Sequence, residues 1–295
     1  MNKEKNAVMV YNNGQYEQEL ICAEKWMRLI YENPIGSASL PFLVKRKIFS
    51  KIYGLYCKTP VSAKKIPDFI KKYNVDMSGC KDSYESFADF FSREKEGLQY
   101  PAEQNLLGSP CEGLASAYTD LDCKRLIGAK GSFYSLTELF KSRKLAEAYE
   151  GGSMLKIRLT PANYHRMHFF DSGVITASKI IDGDLHSVSP IAVNRLARLY
   201  CRNKRALILF KTENFGNVVM LEVGATFVGS IVHCFEDGDK VERGQLGSYF
   251  LPGGSLLLVF FEKGKFSPAD FLTEQTAKGF ESRVNAGVIL GGNNK

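Results

Sequence analysis

Apolar positions in the first hundred residues recur mostly at helical spacing. Ala23 to Tyr31 and Ile66 to Tyr73 carry the three-and-four repeat of an amphipathic helix, and Tyr84 to Lys95 predicts another. From Phe42 to Lys58, Val44, Ile48, Phe49, Ile52, Tyr53, Leu55 and Tyr56 follow the same rhythm, with Pro34, Pro41 and Pro60 as punctuation. Beyond about residue 105 the period shortens. Met154 to Leu159, Val174 to Ile181, Ala206 to Lys211, Val218 to Val223 and Leu256 to Phe261 read as strands between glycine-rich turns, with helices expected at Leu136 to Tyr149 and Ile191 to Tyr200. The pattern predicts an α+β chain: an N-terminal helical region over 1–100 packed on a β-rich body over 101–295.

Composition narrows the class. The chain has 295 residues and is 44% hydrophobic, enough for a substantial core. No apolar run approaches the roughly 18 residues a spanning helix needs, and Met1 to Asn6 lead into no signal-peptide core. The seven cysteines are odd in number and form no C-x-x-C pair, which argues against a disulfide framework or structural zinc and predicts a reducing cytoplasm. Neither a G-x-G-x-x-G after a strand nor a phosphate-binding G-x-x-x-x-G-K-[ST] loop occurs, and no nucleic-acid partner is expected. The net charge of +7 gathers early, at Lys45, Arg46, Lys47, Lys51 and Lys58 among the apolar positions of the 42–58 segment. Such a helix can lie in the headgroup plane of an anionic membrane, each basic side chain adding about 1 kcal/mol, or pack on a core with a solvated basic face.

The chemistry concentrates in three segments. Gly253-Gly254-Ser255 places a hydroxyl just past two glycines, where it can attack the carbonyl before it; the same residues also suit an ordinary hairpin turn. A neutral hydroxyl needs a base, and the chain holds four histidines. His165 and His168 face one side if their segment is a helix or tight turn and opposite sides if it is a strand. They could also be a metal half-site, but no third ligand follows at a metal spacing, so no metal is expected. Glu112, bracketed by Pro110 and Gly113, is either a solvated turn residue or a carboxylate that orients an imidazole. A separate reading takes Glu236 to Gly244 as a carrier-type hairpin with His233 as phospho-acceptor. It leaves the histidine pair unexplained, and no lysine sits at a well-formed hairpin tip.

These segments, in this order, resemble the phosphatidylserine decarboxylase family, the pyruvoyl-dependent lipid enzymes. Phe87-Ala88-Asp89-Phe90-Phe91-Ser92-Arg93, Gly183 to Pro190, Asn203-Lys204-Arg205 and Glu222-Val223-Gly224-Ala225 continue the likeness, and Tyr11-Asn12 with Gly14 and Glu17 resembles the opening of the branch found in chlamydiae and clostridia. The resemblance implies a hybrid-barrel-like catalytic body and self-cleavage between Gly254 and Ser255, leaving Ser255 as a covalent pyruvoyl cofactor that forms a Schiff base with the amine of phosphatidylserine. It implies His168 as the base of cleavage, oriented by Glu112, and His165 as the group that returns a proton after carbon dioxide leaves. The expected partners are the anionic membrane surface, on its cytoplasmic face, and the chain's own small fragment Ser255 to Lys295, in a dimer of cleaved heterodimers.

Several residues depart from the family's usual pattern. Glu112 stands where aspartate is common, Leu256 where threonine is, Leu246 and Ser248 where an acid and a glycine are, and Pro252 replaces an aromatic. A diverged, uncleaved lipid-binding relative is therefore the alternative expectation.

Overall fold

The computed structural model describes residues 8–33, 47–124, 126–127, 133–196, 198–224 and 231–293. Its centre is a ten-stranded sheet. From one edge the order is Lys240–Val241, Gly173–Ile181, Arg205–Thr212, Asn217–Gly224, Ser255–Phe261, Ser153–Leu159, Gly113–Tyr118, Glu281–Val284, Met9–Asn12 and Gln15–Gln18. Every pairing is antiparallel except Met9–Asn12 on Glu281–Val284.

The Ser255–Phe261 strand shows why the sequence reads as a solid apolar run. Leu257, Val259 and Phe261 pack with Met220, Phe210 and Phe215 on one face, while Leu256, Leu258 and Phe260 pack with Leu136, Leu139 and Phe140 on the other. A strand covered on both faces has no polar side to alternate with. The strands expected from the sequence are all present, extended by a residue or two at their ends.

The helices differ more. The stretch expected over Leu136 to Tyr149 is two short helices, Leu136–Phe140 and Arg143–Glu147, parted by Lys141 at φ 56° and each capped by a serine, Ser135 and Ser142. Arg198, at φ 59°, likewise separates Pro190–Val193 from Leu199–Arg202. Tyr84 to Lys95 shortens to Phe87–Phe91, with Ser86 accepting from the Asp89 backbone N–H. Local left-handed residues and serine caps end these helices before the apolar period does.

The N-terminal region is not wholly helical. Residues Met9–Gln18 form a hairpin whose tip, Asn13 (φ 45°) and Gly14 (φ 91°), has the two positive φ angles of a type I′ turn, and it completes the edge of the main sheet. The helices Glu24–Glu32, Lys47–Cys57 and Ile66–Tyr73 follow. Cys57, Ile66, Val75, Phe87, Phe90 and Phe91 make a separate small core there. Of the basic cluster, Lys45 and Arg46 lie outside the described residues. Among the described residues no helix is long and apolar enough to cross a membrane.

Candidate active site

Ser255 opens the central strand, opposite Gly224 on one neighbour and Leu159 on the other. Its side chain is fully buried and its Oγ has no hydrogen-bond partner. An unpartnered buried hydroxyl costs about 1–3 kcal/mol, which is characteristic of a group kept for chemistry. Gly253 reaches it at φ 151°, a conformation that side-chain-bearing residues rarely adopt.

The histidine segment runs into the strand Arg166–His168, so the two imidazoles enter different surroundings. His165 is fully buried, with its ring 4.0 Å from that of Phe91 and 6.5 Å from that of Phe250. Its Nδ1 lies 2.9 Å from the Asn163 carbonyl, which can only accept, so Nδ1 carries the proton and Nε2 keeps its lone pair. That Nε2 is buried and unpartnered, with the Gly253 backbone beside the ring at a geometry short of a good hydrogen bond. Burial pushes the pKa of His165 down to about 3, against the opposing pull of the Asn163 carbonyl. An imidazole expected to titrate near neutral pH is therefore neutral in the uncut chain.

His168 is held at both nitrogens. Nδ1–H donates to the Gly244 carbonyl at 2.9 Å, and Nε2 accepts from the Tyr164 hydroxyl at 2.9 Å, with the two rings stacked. Burial lowers its pKa as well, opposed by the Gly244 carbonyl. Glu112 is not hydrogen-bonded to it. Glu112 Oε1 instead accepts from Asn163 Nδ2 at 2.7 Å, and Asn163 Oδ1 accepts from the backbone and hydroxyl of Thr160, both at 2.8 Å. Asn163 also supplies the carbonyl on His165, so the acid reaches His165 through Asn163 rather than touching His168. The turn and His168 meet through backbone, His168 N–H donating to the Pro110 carbonyl at 2.8 Å. The reason is local: Asn163 follows a tight turn closed on Thr160 and presents its amide before either imidazole can reach the carboxylate.

Comparison with known proteins gives the same direction. The phosphatidylserine decarboxylase family profile matches residues 86–291. The chain belongs to the phosphatidylserine decarboxylase family. It is 40% identical over 291 residues to a protein of Clostridium perfringens (strain SM101 / Type A) named phosphatidylserine decarboxylase proenzyme, covering 96% of this chain and 99% of that one. Proteins of the same name from Clostridium botulinum (strain Alaska E43 / Type E3) and Ruminiclostridium cellulolyticum (strain ATCC 35319 / DSM 5812 / JCM 6584 / H10) are 40% and 38% identical, covering 96% of this chain and 98% and 97% of theirs.

The family motifs quoted from the sequence acquire structural reasons. Asn203 Nδ2 donates to the carbonyls of His186 (2.7 Å) and Gly224 (2.9 Å), tying the Gly183–Pro190 loop to the end of the strand beside Ser255. Arg205, fully buried, spends its guanidinium on the carbonyls of Leu139, Glu138, Cys201 and Asn203. That loop and Gly254 line a cavity of about 60 Å³, with Ser187, Ser189, Arg158 and Glu19 in its wall. The Ser189 hydroxyl is buried without a partner. Across Arg158 and Val188 lies a larger cavity of about 290 Å³ bordered by Lys156, Tyr118 and Glu281.

Sequence reasoning missed the roles of two participants. Asn163 gave no signal beyond its place beside the histidines. Glu222 did: it is a carboxylate in an otherwise apolar strand. It is fully buried and holds Ser248 Oγ and His233 Nε2. His233 therefore faces a carboxylate of this family's strand, as one of a bonded trio.

Proposed function

We propose that this chain decarboxylates phosphatidylserine to phosphatidylethanolamine after cutting itself between Gly254 and Ser255. The observation that carries the reading is the pair of buried, unpartnered atoms at the cut site, Ser255 Oγ and His165 Nε2, beside two successive glycines. Buried polar atoms are ordinarily bonded, and orphans of this kind suit a hydroxyl about to attack and a lone pair about to receive. In the reaction Ser255 Oγ bonds to the Gly254 carbonyl carbon and the Gly254–Ser255 amide becomes an ester. Elimination then frees Met1 to Gly254 and leaves dehydroalanine at position 255, which takes up water and loses ammonia to give the pyruvoyl group; that group would supply the electron-accepting carbonyl for decarboxylation.

His168 is our base for cleavage. The Gly244 carbonyl fixes its proton on Nδ1, so the lone pair for base work is on Nε2, and the Tyr164 hydroxyl that now donates to it must turn away before it acts. His165 is our residue for the substrate's proton. The open Nε2 of His165 beside Gly253 favours a second reading in which His165 is the base, and the two variants separate them. His168→Ala should remain uncut and His165→Ala should cut but turn over poorly; the reverse pattern exchanges the roles.

After cutting, the small chain remains the central strand of the sheet, registered against Asn217–Gly224 and Ser153–Leu159 along its whole length. We place two such heterodimers in the working particle, and the particle on the cytoplasmic face of the membrane. Exposed Trp26, Leu29, Ile52, Leu55 and Val61 support a membrane-facing helical region. Cys22, at the head of the first helix, interacts with Tyr53 and Tyr73 of the next two, which brings these elements together. Intact mass under denaturing conditions tests the core of the proposal. Two chains breaking at Gly254/Ser255, the smaller carrying a pyruvoyl terminus, together with phosphatidylethanolamine formed from phosphatidylserine micelles, are expected. One uncut, inactive chain would favour the lipid-binding alternative.

A further inference from the structure

Decarboxylation consumes a proton, because the substrate carbon loses its bond to carbon dioxide and gains one to hydrogen. Ser255 and His165 are sealed from solvent, and both nitrogens of His168 are engaged. A route for the proton is therefore a structural requirement of the decarboxylase reading, on which this inference rests.

Glu222 lies where such a route would end. In register it faces Leu257, one pleat from the Gly224–Ser255 pair, and paired residues of an antiparallel sheet point to the same side. The Glu222 and Ser255 side chains thus share a face as diagonal neighbours, a separation of about 7–8 Å. One carboxylate oxygen accepts from Ser248 Oγ and the other lies 2.8 Å from His233 Nε2. His233 is 19% exposed at its side chain and stacks on Phe235, so the trio runs from the surface to the interior. The strand that carries Ser248 continues to Phe250, whose ring meets His165. Among the described residues the thiols of Cys111, on the Glu112 turn, and Cys234 also feel Glu222; burial raises both and the Glu222 charge adds to it.

We propose that Glu222 is the proton store of the Ser255 site, refilled from solvent through His233. His233 takes a proton from water on Nδ1; its Nε2–H bond breaks as an O–H bond forms on Glu222. That O–H bond then breaks as a proton passes on to the open Nε2 lone pair of His165, which hands it to the carbon vacated by carbon dioxide, and Glu222 returns to carboxylate. Nothing is oxidised or reduced. Ser248 holds the second oxygen and keeps the carboxylate in place.

The test compares wild type, Glu222→Gln and His233→Gln. Wild type must first cut itself and form phosphatidylethanolamine, since failure there removes the decarboxylase reading itself. Given an active wild type, Glu222→Gln, whose amide can keep the bonds to both partners, should cut itself by intact mass yet lose at least ~10-fold in kcat with KM little changed. The solvent deuterium isotope effect on kcat should rise, because proton return becomes limiting; a packing defect would slow turnover without raising it. His233→Gln should show the same rise, and added imidazole should restore its rate. If Glu222→Gln stays uncut, His233→Gln decides with the carboxylate still in place. A readout independent of turnover is infrared difference spectroscopy of the uncut Ser255→Ala chain, in which protonation of His233 should move the Glu222 carboxylate bands. Unchanged kcat and isotope effect in the variants that cut, or carboxylate bands indifferent to His233, would overturn the inference.

Discussion

Acidification should expose how His165 is held. Its pKa falls from 6.5 to about 3 because the folded chain buries the ring completely, so the unfolded chain binds a proton that the folded chain refuses. A depressed pKa makes stability fall as pH drops from above 6.5 toward about 3. Because the unfolded ring is only half protonated at pH 6.5, the loss between pH 6.5 and 4.5 falls short of two full units of 1.36 kcal/mol and comes to about 2.3 kcal/mol. That figure does not depend on the folded pKa as long as it lies well below 4.5. Other groups titrate in the same interval, so the measurement is a difference. Urea unfolding of the Ser255→Ala chain, which should stay in one piece, is compared with Ser255→Ala/His165→Gln at both ends of the interval. The glutamine cannot titrate and can keep a bond to the Asn163 carbonyl. The single variant should lose about 2.3 kcal/mol more than the double variant on going from the higher to the lower pH. Parallel losses in the two chains would refute burial of a neutral imidazole, and with it the open lone pair at Nε2.

Asn163→Ala should slow self-cleavage about 100-fold while leaving the fold intact, because it disconnects Glu112 from the histidine segment; a time course of intact mass reads it, and an unchanged rate would return Glu112 to the role of a turn residue. Arg158→Met should cost about 3–5 kcal/mol in urea unfolding, since Arg158 bridges buried Glu19 and partly buried Glu281 at 2.8 and 2.5 Å and its removal leaves Glu19 without its cation, and a loss below ~1 kcal/mol would mean that Glu19 is not isolated by its removal. Burial opposes ionisation of Glu281, but Arg158 and Lys156 hold its pKa at about 2 against an ordinary 4.5, so its contribution is complete above 4.5 and disappears as pH falls through about 2. Ile52→Glu with Leu55→Glu should weaken flotation with anionic vesicles at least ~10-fold without affecting cleavage, and unchanged binding would exclude that helix face from the membrane contact.

The inner strands of the sheet were legible because they are buried on both faces, which writes them as short apolar runs. The helices were legible in position but not in length. Lys141 and Arg198 carry no marker in the sequence that they will turn left-handed, and the apolar period continues across both. The Asn13-Gly14 hairpin had a clear turn signal, hidden by the helical rhythm that follows it. At the candidate site, motif order named Ser255 and the two histidines, and the structure adds their burial and partners. The partners of Glu112 and Glu222 were not legible. Asn163 competes for Glu112 from a turn fifty-one residues away, and Glu222 meets Ser248 through a contact twenty-six residues apart, neither of which local pattern can encode.

The proposed cut lies at the start of a central strand rather than in an exposed loop, which has an energetic consequence. Leu256, Leu257, Leu258, Val259, Phe260 and Phe261 are each fully buried. At roughly 1.5–3 kcal/mol apiece their burial amounts to about 9–18 kcal/mol as an upper estimate. Keeping two separated chains together costs an estimated 4–15 kcal/mol in lost freedom, and the backbone ladder on both sides of the strand adds to the favourable side. Self-cleavage at Ser255 can therefore free the new terminus for chemistry without releasing the fragment that carries it. Leu256 in place of threonine moves this balance further the same way, since it replaces a hydroxyl with apolar surface inside the core formed with Leu258 and Phe260. The departure that raised the possibility of an inert relative thus strengthens the hold on the small chain.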